Sequence, residues 1–203
     1  MTSEYLPNPA RVAEPADLDA IVATLTTAFF DDPCWGPAYP DASRRAEQAA
    51  VLWRFSATSA LRYPWTFVSE NAEAAAVWIP PNGTELTHDE ESRVEALLVD
   101  ATDQGTATAI LELFGLFEAA RPAEPHFYLS LLGVHDDHRG KGLGMGLLAE
   151  NLERIDALGA ASYLESSNPA NIARYEKAGF AVRGELVVPA TGHVMATMWR
   201  AAR

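Results

Sequence analysis

The sequence has little of several features that mark particular classes of protein. It contains a single cysteine, Cys34, so it can form neither an intrachain disulfide nor a cysteine-rich metal site. No apolar run of about 18 residues is present, which argues against a transmembrane helix and a membrane partner. The N-terminus lacks the basic and apolar regions of a secretory signal. These absences predict a cytoplasmic protein in which Cys34 is a small, partly buried apolar residue.

Positive charge is also scarce. The chain has 15 Lys and Arg residues against 28 Asp and Glu residues, a formal net charge of −13. Nucleic-acid binding needs a basic surface, so nucleic acid is not an expected partner. A negative field can draw cationic ligands toward a cleft, although it also serves plain solubility.

The composition that is present is typical of a globular protein, with 48% hydrophobic and 21% charged residues. The length of 203 residues suits a single domain over 1–203, with residues 1–8 expected to be frayed. Helical and strand patterns alternate along the chain, which predicts an α/β fold with a mixed central sheet flanked by helices.

The expected elements follow from hydrophobic periodicity, capping residues and turn residues. In chain order they are a strand at 9–14, a helix opened by Pro15, a helix at 43–63, a hairpin of 65–69 and 74–79, a helix begun by a capping box at 87–90, a helix through 110–117, a strand at 127–134, a helix through 143–155, a strand at 162–166, a helix from Asn168 to Ala178, and strands near 181–188 and 193–199. Three prolines and a glycine in residues 31–40 predict a loop with no regular element.

The most informative segment is a glycine-rich turn at residues 138–144, between a buried strand and an amphipathic helix. Its three glycines let the backbone turn sharply and approach a ligand closely. The start of the helix supplies unpaired N–H groups and the positive end of a dipole. Arg139 and Lys141 add positive charge. The turn is therefore predicted to bind a phosphate or pyrophosphate rather than to be a turn that binds nothing.

Two common phosphate-binding motifs do not fit this turn. A Walker A loop needs serine or threonine after its lysine, and Lys141 is followed by Gly142. The dinucleotide motif Gly-x-Gly-x-x-Gly fails because Met145 occupies its third glycine position. A nucleotide-binding switch protein is therefore not expected.

The turn instead resembles the signature Arg/Gln-x-x-Gly-x-Gly/Ala of the GNAT superfamily of N-acetyltransferases, here Arg139, Gly142 and Gly144. The preceding strand also matches, with Val134 five residues before Arg139, although Asp136 stands where the family often has proline.

A second marker of that family follows downstream, in Asn168, Asn171, Tyr175 and the pair 179–180. The resemblance covers nearly the whole chain. The N-terminal helix, the acidic loop after it, the helical middle and the segment 164–167 are similar to the puromycin N-acetyltransferase branch.

The resemblance implies direct attack of an amine on the thioester of acetyl-CoA, with no covalent enzyme intermediate. Tyr175 matches the general acid of the family; the alternative is a core aromatic residue. Asn168 is expected to cap a helix. The residues that the resemblance assigns to acetyl-CoA are Leu132, Gly133, Val134, Arg139, Gly140, Lys141, Gly142, Leu143, Gly144, Asn171 and Tyr175.

Glu165 is the candidate general base. Strand alternation places it on the same face as Tyr163. A carboxylate at that point could take the proton of the amine directly or through water. The alternative is an exposed or salt-bridged glutamate. Three histidines, His126, His135 and His138, show no metal-ligand spacing and are expected at the surface.

The acceptor is predicted to be a small primary or secondary amine with an apolar or aromatic body. Asp31 and Asp32 lie beside Trp35 and Tyr39, and carboxylates and aromatic faces both attract an ammonium group. The alternative is that the two aromatic residues pin this loop to the core. A protein amine as acceptor, an acyl-CoA-binding regulatory module with little catalysis, and either a monomer or a homodimer remain open.

Overall fold

The computed structural model describes residues 10–203, which form a seven-stranded mixed sheet with helices on both faces. This confirms the predicted α/β class. The segment 1–8, expected to be frayed, lies outside the described residues, and the first strand is shorter than the predicted 9–14. The strands are β1 Arg11–Val12, β2 Thr66–Val68, β3 Ala74–Ile79, β4 His126–Val134, β5 Ala161–Ser166, β6 Ala181–Val187 and β7 Val194–Arg200.

Apart from one short helix within residues 31–40, the helices lie where periodicity and capping predict them, with ends that differ by a few residues. None of them, within residues 10–203, is both long and apolar enough to cross a bilayer. They are α1 Leu18–Ala28, α2 Trp35–Ala38, α3 Arg45–Ala60, α4 His88–Ala101, α5 Gln104–Ala120, α6 Leu143–Asp156 and α7 Ile172–Lys177, with short 3₁₀ turns at Pro15–Asp17, Asp136–His138 and Pro169–Asn171.

The order of the strands is β1-β2-β3-β4-β5-β7-β6, and β4 and β5 are the parallel neighbours. Their pairing joins only residues 126–128 to residues 161–163. Beyond that point β4 stays paired with β3 as far as Val134, and β5 stays paired with β7 as far as Ser166. The two central strands therefore diverge, and a gap opens in the middle of the sheet.

An irregularity in the ladder between β3 and β4 lies next to this gap. The partner of Val77 on β3 is Leu131. The partner of the next residue, Trp78, is Leu129, so Ser130 on β4 has no partner on β3. A bulge of this kind bends the strand that carries the extra residue. The bend contributes to the separation of β4 from β5.

Each face of the sheet is covered by its own apolar core. Helices α1, α3, α4 and α5 pack on one face, and α6 packs on the other. Strand β3 contributes to both cores because successive side chains point to opposite faces. Val77 and Ile79 join the first core, and Ala76 and Trp78 join the second. Covering on both faces explains why β3 and β4 are almost continuously apolar.

The segment 31–40 contains a short helix, α2, so the prediction of no regular element there is wrong. Asp32 Oδ1 accepts hydrogen bonds from the N–H groups of Cys34 and Trp35, at 2.9 and 3.1 Å. The carboxylate thereby satisfies the first unpaired donors of the turn. Pro37 lies within this first turn, where a helix does not need the missing N–H.

A buried ion pair fixes the last strand against α6. Arg200 on β7 is 3% exposed. Its guanidinium donates two hydrogen bonds to the carboxylate of Asp156, at 2.5 and 2.6 Å. This partner lowers the pKa of Asp156.

We expect Asp156→Asn to lower the free energy of unfolding by about 2–4 kcal/mol, because the buried guanidinium loses its counter-charge. Since the folded-state pKa of Asp156 is lowered, its contribution is present above the ordinary carboxyl pKa and is lost as the pH falls through the lowered value. Urea denaturation measures both effects. The matched control, Asp19→Asn, breaks an exposed pair with Arg54 and should change little. Equal losses in the two variants would contradict this account.

Candidate active site

A cavity of about 570 Å³ occupies the gap between the diverging ends of β4 and β5. The second half of β4 and the glycine-rich turn line one side of it. The end of β5 and the start of α7 line the other side. The loop after α1, with side chains from α3 and α5, completes the wall. The cavity thus joins the predicted cofactor turn to most of the predicted catalytic and acceptor residues.

The glycine-rich turn leads into α6 at the rim of the cavity. Gly140 and Gly142 have φ values of +77° and +78°, in the left-handed region that favours glycine. Gly142 is the N-cap of α6, and Leu143 lines the cavity, so the positive end of the helix dipole lies at the rim. A Cβ on Gly144 would lie 2.9 Å from Val134 Cγ2, so this glycine lets α6 begin against β4. The arrangement suits an anion.

The two basic side chains of the turn are placed differently. Arg139 lines the cavity, donates to the carbonyl oxygen of Ala28 at 3.0 Å and pairs with Asp136 at 2.8 Å. Its side chain is 53% exposed, so it can still reach a ligand at the rim. Lys141 is not among the described residues that line the cavity, and its Nζ donates to the carbonyl oxygen of Asp137 at 3.3 Å. The structure therefore brings Arg139, and not Lys141, to the cavity.

The predicted strand contacts, Leu132, Gly133 and Val134, all line the cavity. Past Tyr128 the edge of β4 that faces β5 has no strand partner among residues 10–203, so its backbone groups are available to an extended ligand. Gly133 is also needed for the packing of a helix on the sheet. A Cβ there would lie 2.9 Å from the Cβ of Ala28, so glycine allows α1 to pack closely on the sheet.

Tyr175 and Asn171 line the same wall of the cavity, one helical turn apart. Asn168 caps the turn before them, as predicted, with Oδ1 accepting from the N–H of Ala170 at 3.0 Å. Burial, and then the negative charge of Asp32, raises the pKa of Tyr175 to about 12. The Tyr175 hydroxyl therefore keeps its proton at neutral pH and can donate a hydrogen bond.

Glu165 on β5 lines the cavity, and its Oε1 is buried with no hydrogen-bond partner in the described part of the chain. Burial, reinforced by the charge of Glu85, raises the pKa of Glu165 to about 7, while the hydroxyls of Tyr128 and Tyr163 and the charge of Arg121 act in the opposite direction. The side chain is half-buried and, within residues 10–203, forms no ion pair. A carboxyl group that titrates near neutral pH can exchange protons with a substrate.

Three of the four predicted acceptor residues line the cavity. Asp31 lies at the rim with its side chain 88% exposed. Asp32 also caps α2, and its Oδ2 accepts from Ser167 Oγ at 2.7 Å, so both of its oxygens are engaged. Trp35 is buried in the wall. Tyr39 is not brought to the cavity. It is 1% exposed within the core, where it pins the loop.

An aromatic chamber forms part of the cavity wall. We define it by the rings of Phe29, Trp35, Trp53, Phe114 and Phe117, all of which line the cavity. The ring centroid of Trp35 lies 5.0 Å from that of Trp53 and about 6 Å from those of Phe114 and Phe117. The Phe29 ring packs against Trp53 at 5.2 Å between centroids, with the two planes tilted by 38°. The chamber offers an apolar surface for the body of a ligand.

Sequence reasoning missed three polar residues beside the chamber, Glu85, Ser130 and Tyr128. Glu85 lies in an irregular loop and carries no sequence signal. Ser130 and Tyr128 lie in a strand that was recognised, and its position before the glycine-rich turn was the available signal. His126, expected at the surface, is 7% exposed, with Nδ1 2.6 Å from the carbonyl oxygen of Glu124.

Cys34 is 2% exposed, as expected for a small apolar residue, and burial raises its pKa to about 12. Its thiolate is therefore not populated at neutral pH, and Cys34 is not a poised nucleophile.

The sequence model of the acetyltransferase (GNAT) family matches residues 31–180. The chain belongs to this family.

Individual relatives match this GNAT chain with different identities and over different lengths. The L-methionine sulfoximine/L-methionine sulfone acetyltransferase of Pseudomonas aeruginosa is 41% identical over 56 residues, which are 26% of this chain and 33% of that protein. The match thus spans about a third of the curated relative.

Two crystal structures are similar over almost the whole chain. One is of histone acetyltransferase HPA2 and related acetyltransferase from Corynebacterium glutamicum, with a TM-score of 0.71, 21% identity and 96% of each chain covered. The other is of arylalkylamine N-acetyltransferase 2 from Aedes aegypti, with a TM-score of 0.63, 16% identity and coverage of 96% of this chain and 99% of that one. Likeness at these identities shows a shared fold.

Enzymes of the GNAT family use acetyl-CoA as cosubstrate, and the residues of this site fit its parts. The unpaired edge of β4 beyond Tyr128 offers backbone donors and acceptors to an extended pantetheine arm. The turn with Gly140 and Gly142 and the start of α6 suit a pyrophosphate, and Arg139 adds positive charge.

We expect Gly142→Ala to weaken acetyl-CoA binding by about tenfold or more, because a side chain at φ +78° strains the backbone and displaces the turn. Isothermal titration calorimetry measures the affinity, and circular dichroism verifies folding. Gly115→Ala on α5 is the matched control, since its added Cβ meets nothing within 4 Å beyond its chain neighbours and the nearby backbone of its own helix. If the two variants bind acetyl-CoA equally well, the cofactor site does not lie in this turn.

Proposed function

We propose that this GNAT protein transfers the acetyl group of acetyl-CoA to a small primary or secondary amine with an apolar or aromatic body. One observation carries the proposal. A continuous cavity extends from the glycine-rich turn to Glu165 and the aromatic chamber. Cosubstrate and amine could meet there directly, without a covalent enzyme intermediate. We also propose that residues 1–203 act as one catalytic domain.

Glu165 is the proposed general base. An alkylammonium ion has a pKa of about 10 and carries no lone pair, so the acceptor must lose a proton before it can attack. Glu165 titrates at about pH 7 and has an unpartnered oxygen in the cavity wall. It can take this proton directly or through one water molecule and pass it to solvent.

Tyr175 is the proposed general acid. When bound, acetyl-CoA supplies a thioester whose C–S bond breaks as the amine nitrogen forms a C–N bond. The departing sulfur needs a proton, and the protonated hydroxyl of Tyr175 can donate one. Tyr175 then regains the second proton that leaves the nitrogen, so the protons balance.

The chamber favours this function over its two alternatives. A regulatory module that only binds acyl-CoA would have no use for a carboxyl group with a buried, unpartnered oxygen in the cavity wall. A protein amine would need a site open to a large partner, whereas Trp35 and Trp53 are 6% and 2% exposed. Both observations support a small acceptor.

Several small amines are candidates within this class. The similarity to the puromycin N-acetyltransferase branch favours an aminonucleoside or a similar xenobiotic amine. The Aedes aegypti protein, by its name, acts on arylalkylamines, and the Pseudomonas aeruginosa relative on methionine sulfoximine and methionine sulfone. The aromatic chamber fits the first two classes better, because their bodies are larger and more apolar.

We expect release of free CoA when the protein is given acetyl-CoA and an arylalkylamine or aminonucleoside, with lower kcat/KM for methionine sulfone and for peptides. A thiol-reactive dye measures the released CoA, and mass spectrometry identifies the acetylated product. Acetylation of peptides or proteins alone would refute the small-amine assignment. Binding of acetyl-CoA without release on any amine would favour the regulatory module.

We expect kcat/KM of the parent protein to fall as the pH drops below about 7, because protonation of Glu165 removes the base. Glu165→Gln should lose this limb and be slower by about 10²–10⁴-fold. Tyr175→Phe, which preserves ring packing, should lower kcat while it keeps the limb and the cofactor affinity. An unchanged profile in Glu165→Gln would assign proton removal to another group.

A further inference from the structure

A hydrogen-bonded ion pair contributes Glu85 to the cavity that the aromatic chamber also lines, and it has no part in the proposed proton transfers. Glu85, in the loop between β3 and α4, lines the cavity. Its Oε2 accepts a hydrogen bond from Arg121 Nη2 at 2.6 Å, and its Oε1 accepts one from Ser130 Oγ at 2.6 Å. Both carboxylate oxygens of Glu85 are therefore engaged, and its charge is neutralised within the protein.

Arg121 approaches Glu85 from outside the chamber. It follows the end of α5 and is not among the described residues that line the main cavity. It lines instead a second, smaller cavity of about 150 Å³. Its guanidinium carbon lies 4.2 Å from the centroid of the Tyr128 ring, and its side chain is 23% exposed. A ring on one side and a carboxylate on the other thus fix this cation in place.

Besides Glu85, three carboxyl groups line the cavity, and they differ in whether they can pair with an acceptor. Asp32 is engaged by two backbone N–H groups and by Ser167. Asp31 lies at the solvent-exposed rim. Among the described cavity-lining residues, Glu165 is the carboxyl group that combines burial with an unpartnered oxygen. Apolar rings form most of the remaining chamber.

We infer that Arg121 determines the charge of the accepted amine: by neutralising Glu85, it restricts the chamber to amines with one positive charge and excludes diamines and polyamines. The inference rests on the proposed function, in that the chamber receives the acceptor. The ammonium to be acetylated pairs with Glu165. A second ammonium beside the rings would lose hydration and gain no counter-ion. With Arg121 absent, Glu85 would become that counter-ion.

The test compares pentylamine with 1,5-diaminopentane, which have the same chain length and differ by the second ammonium. Binding without cosubstrate is followed by tryptophan fluorescence, because Trp35 and Trp53 line the chamber. Turnover with acetyl-CoA is followed by CoA release. The parent protein should favour pentylamine by about tenfold or more in both measurements, since the second charge must be desolvated.

Arg121→Gln should raise the relative affinity for the diamine by about tenfold, because an unpaired Glu85 attracts the distal ammonium. The charge-conserving control, Arg121→Lys, should keep the parent preference. Adding Glu85→Gln to Arg121→Gln should restore that preference, since neither charge is then present, and this closes a double-mutant cycle.

Equal binding of the two amines by the parent protein, or an unchanged ratio in Arg121→Gln, would overturn the inference. If Arg121→Gln does not fold, the affinity ratio of the two amines in Glu85→Gln tests the inference instead. It leaves Arg121 uncompensated and should weaken the diamine more than the monoamine, and an unaltered ratio would again overturn the inference. Absence of CoA release with every amine would refute the proposed function separately, because the binding ratio is measured without turnover.

Discussion

The short parallel pairing of β4 with β5 is the interaction on which the site depends. It joins the strands over residues 126–128 and 161–163, and each strand then follows its other neighbour. Because β3 holds β4 and β7 holds β5, neither strand can close the gap without losing hydrogen bonds on its far side. The covered sheet therefore has an interior cavity bordered by backbone groups and side chains of two adjacent strands.

This cavity places two titratable groups in environments that separate their roles. Burial raises the pKa of Glu165 to about 7 and that of Tyr175 to about 12. One group can therefore lose and gain protons near neutral pH, and the other stays protonated. A single site can provide both a base and an acid when the pKa values of its titratable groups are separated in this way. The same low-polarity surroundings increase the consequence of the Glu85 charge in the wall and of its partner Arg121 behind the wall.

Local features were predictable from the sequence, and long-range ones were not. The glycine-rich turn and the capping box at Thr87 depend on residues within one helical turn, and both lie where they were predicted. The ion pair of Glu85 with Arg121 joins residues 36 positions apart and has no periodic or motif signal. This ion pair can be located only once the loop after β3 and the end of α5 are placed together in the fold.

The segment 31–40 shows most clearly what sequence patterns cannot predict. Trp35 and Tyr39 have similar chemistry, lie four residues apart and are both buried, and yet Trp35 lines the cavity and Tyr39 does not. The short helix α2, capped by Asp32, sets these directions. An aspartate that was expected to hold the substrate is engaged in shaping the loop, although it also lines the cavity.

The hydrogen bond between Asp32 and Ser167 has a consequence for the order in which the protein folds. The two residues are 135 positions apart, and Ser167 reaches its place only when β5 has joined the sheet. Contacts between distant parts of a chain form late, because a long loop must close first. The left-handed glycines and the helix N-cap of the glycine-rich turn come from neighbouring residues, although Arg139 also contacts the distant Ala28. A chain that has folded only in part would therefore form the backbone of this turn before it completes the proposed acceptor pocket.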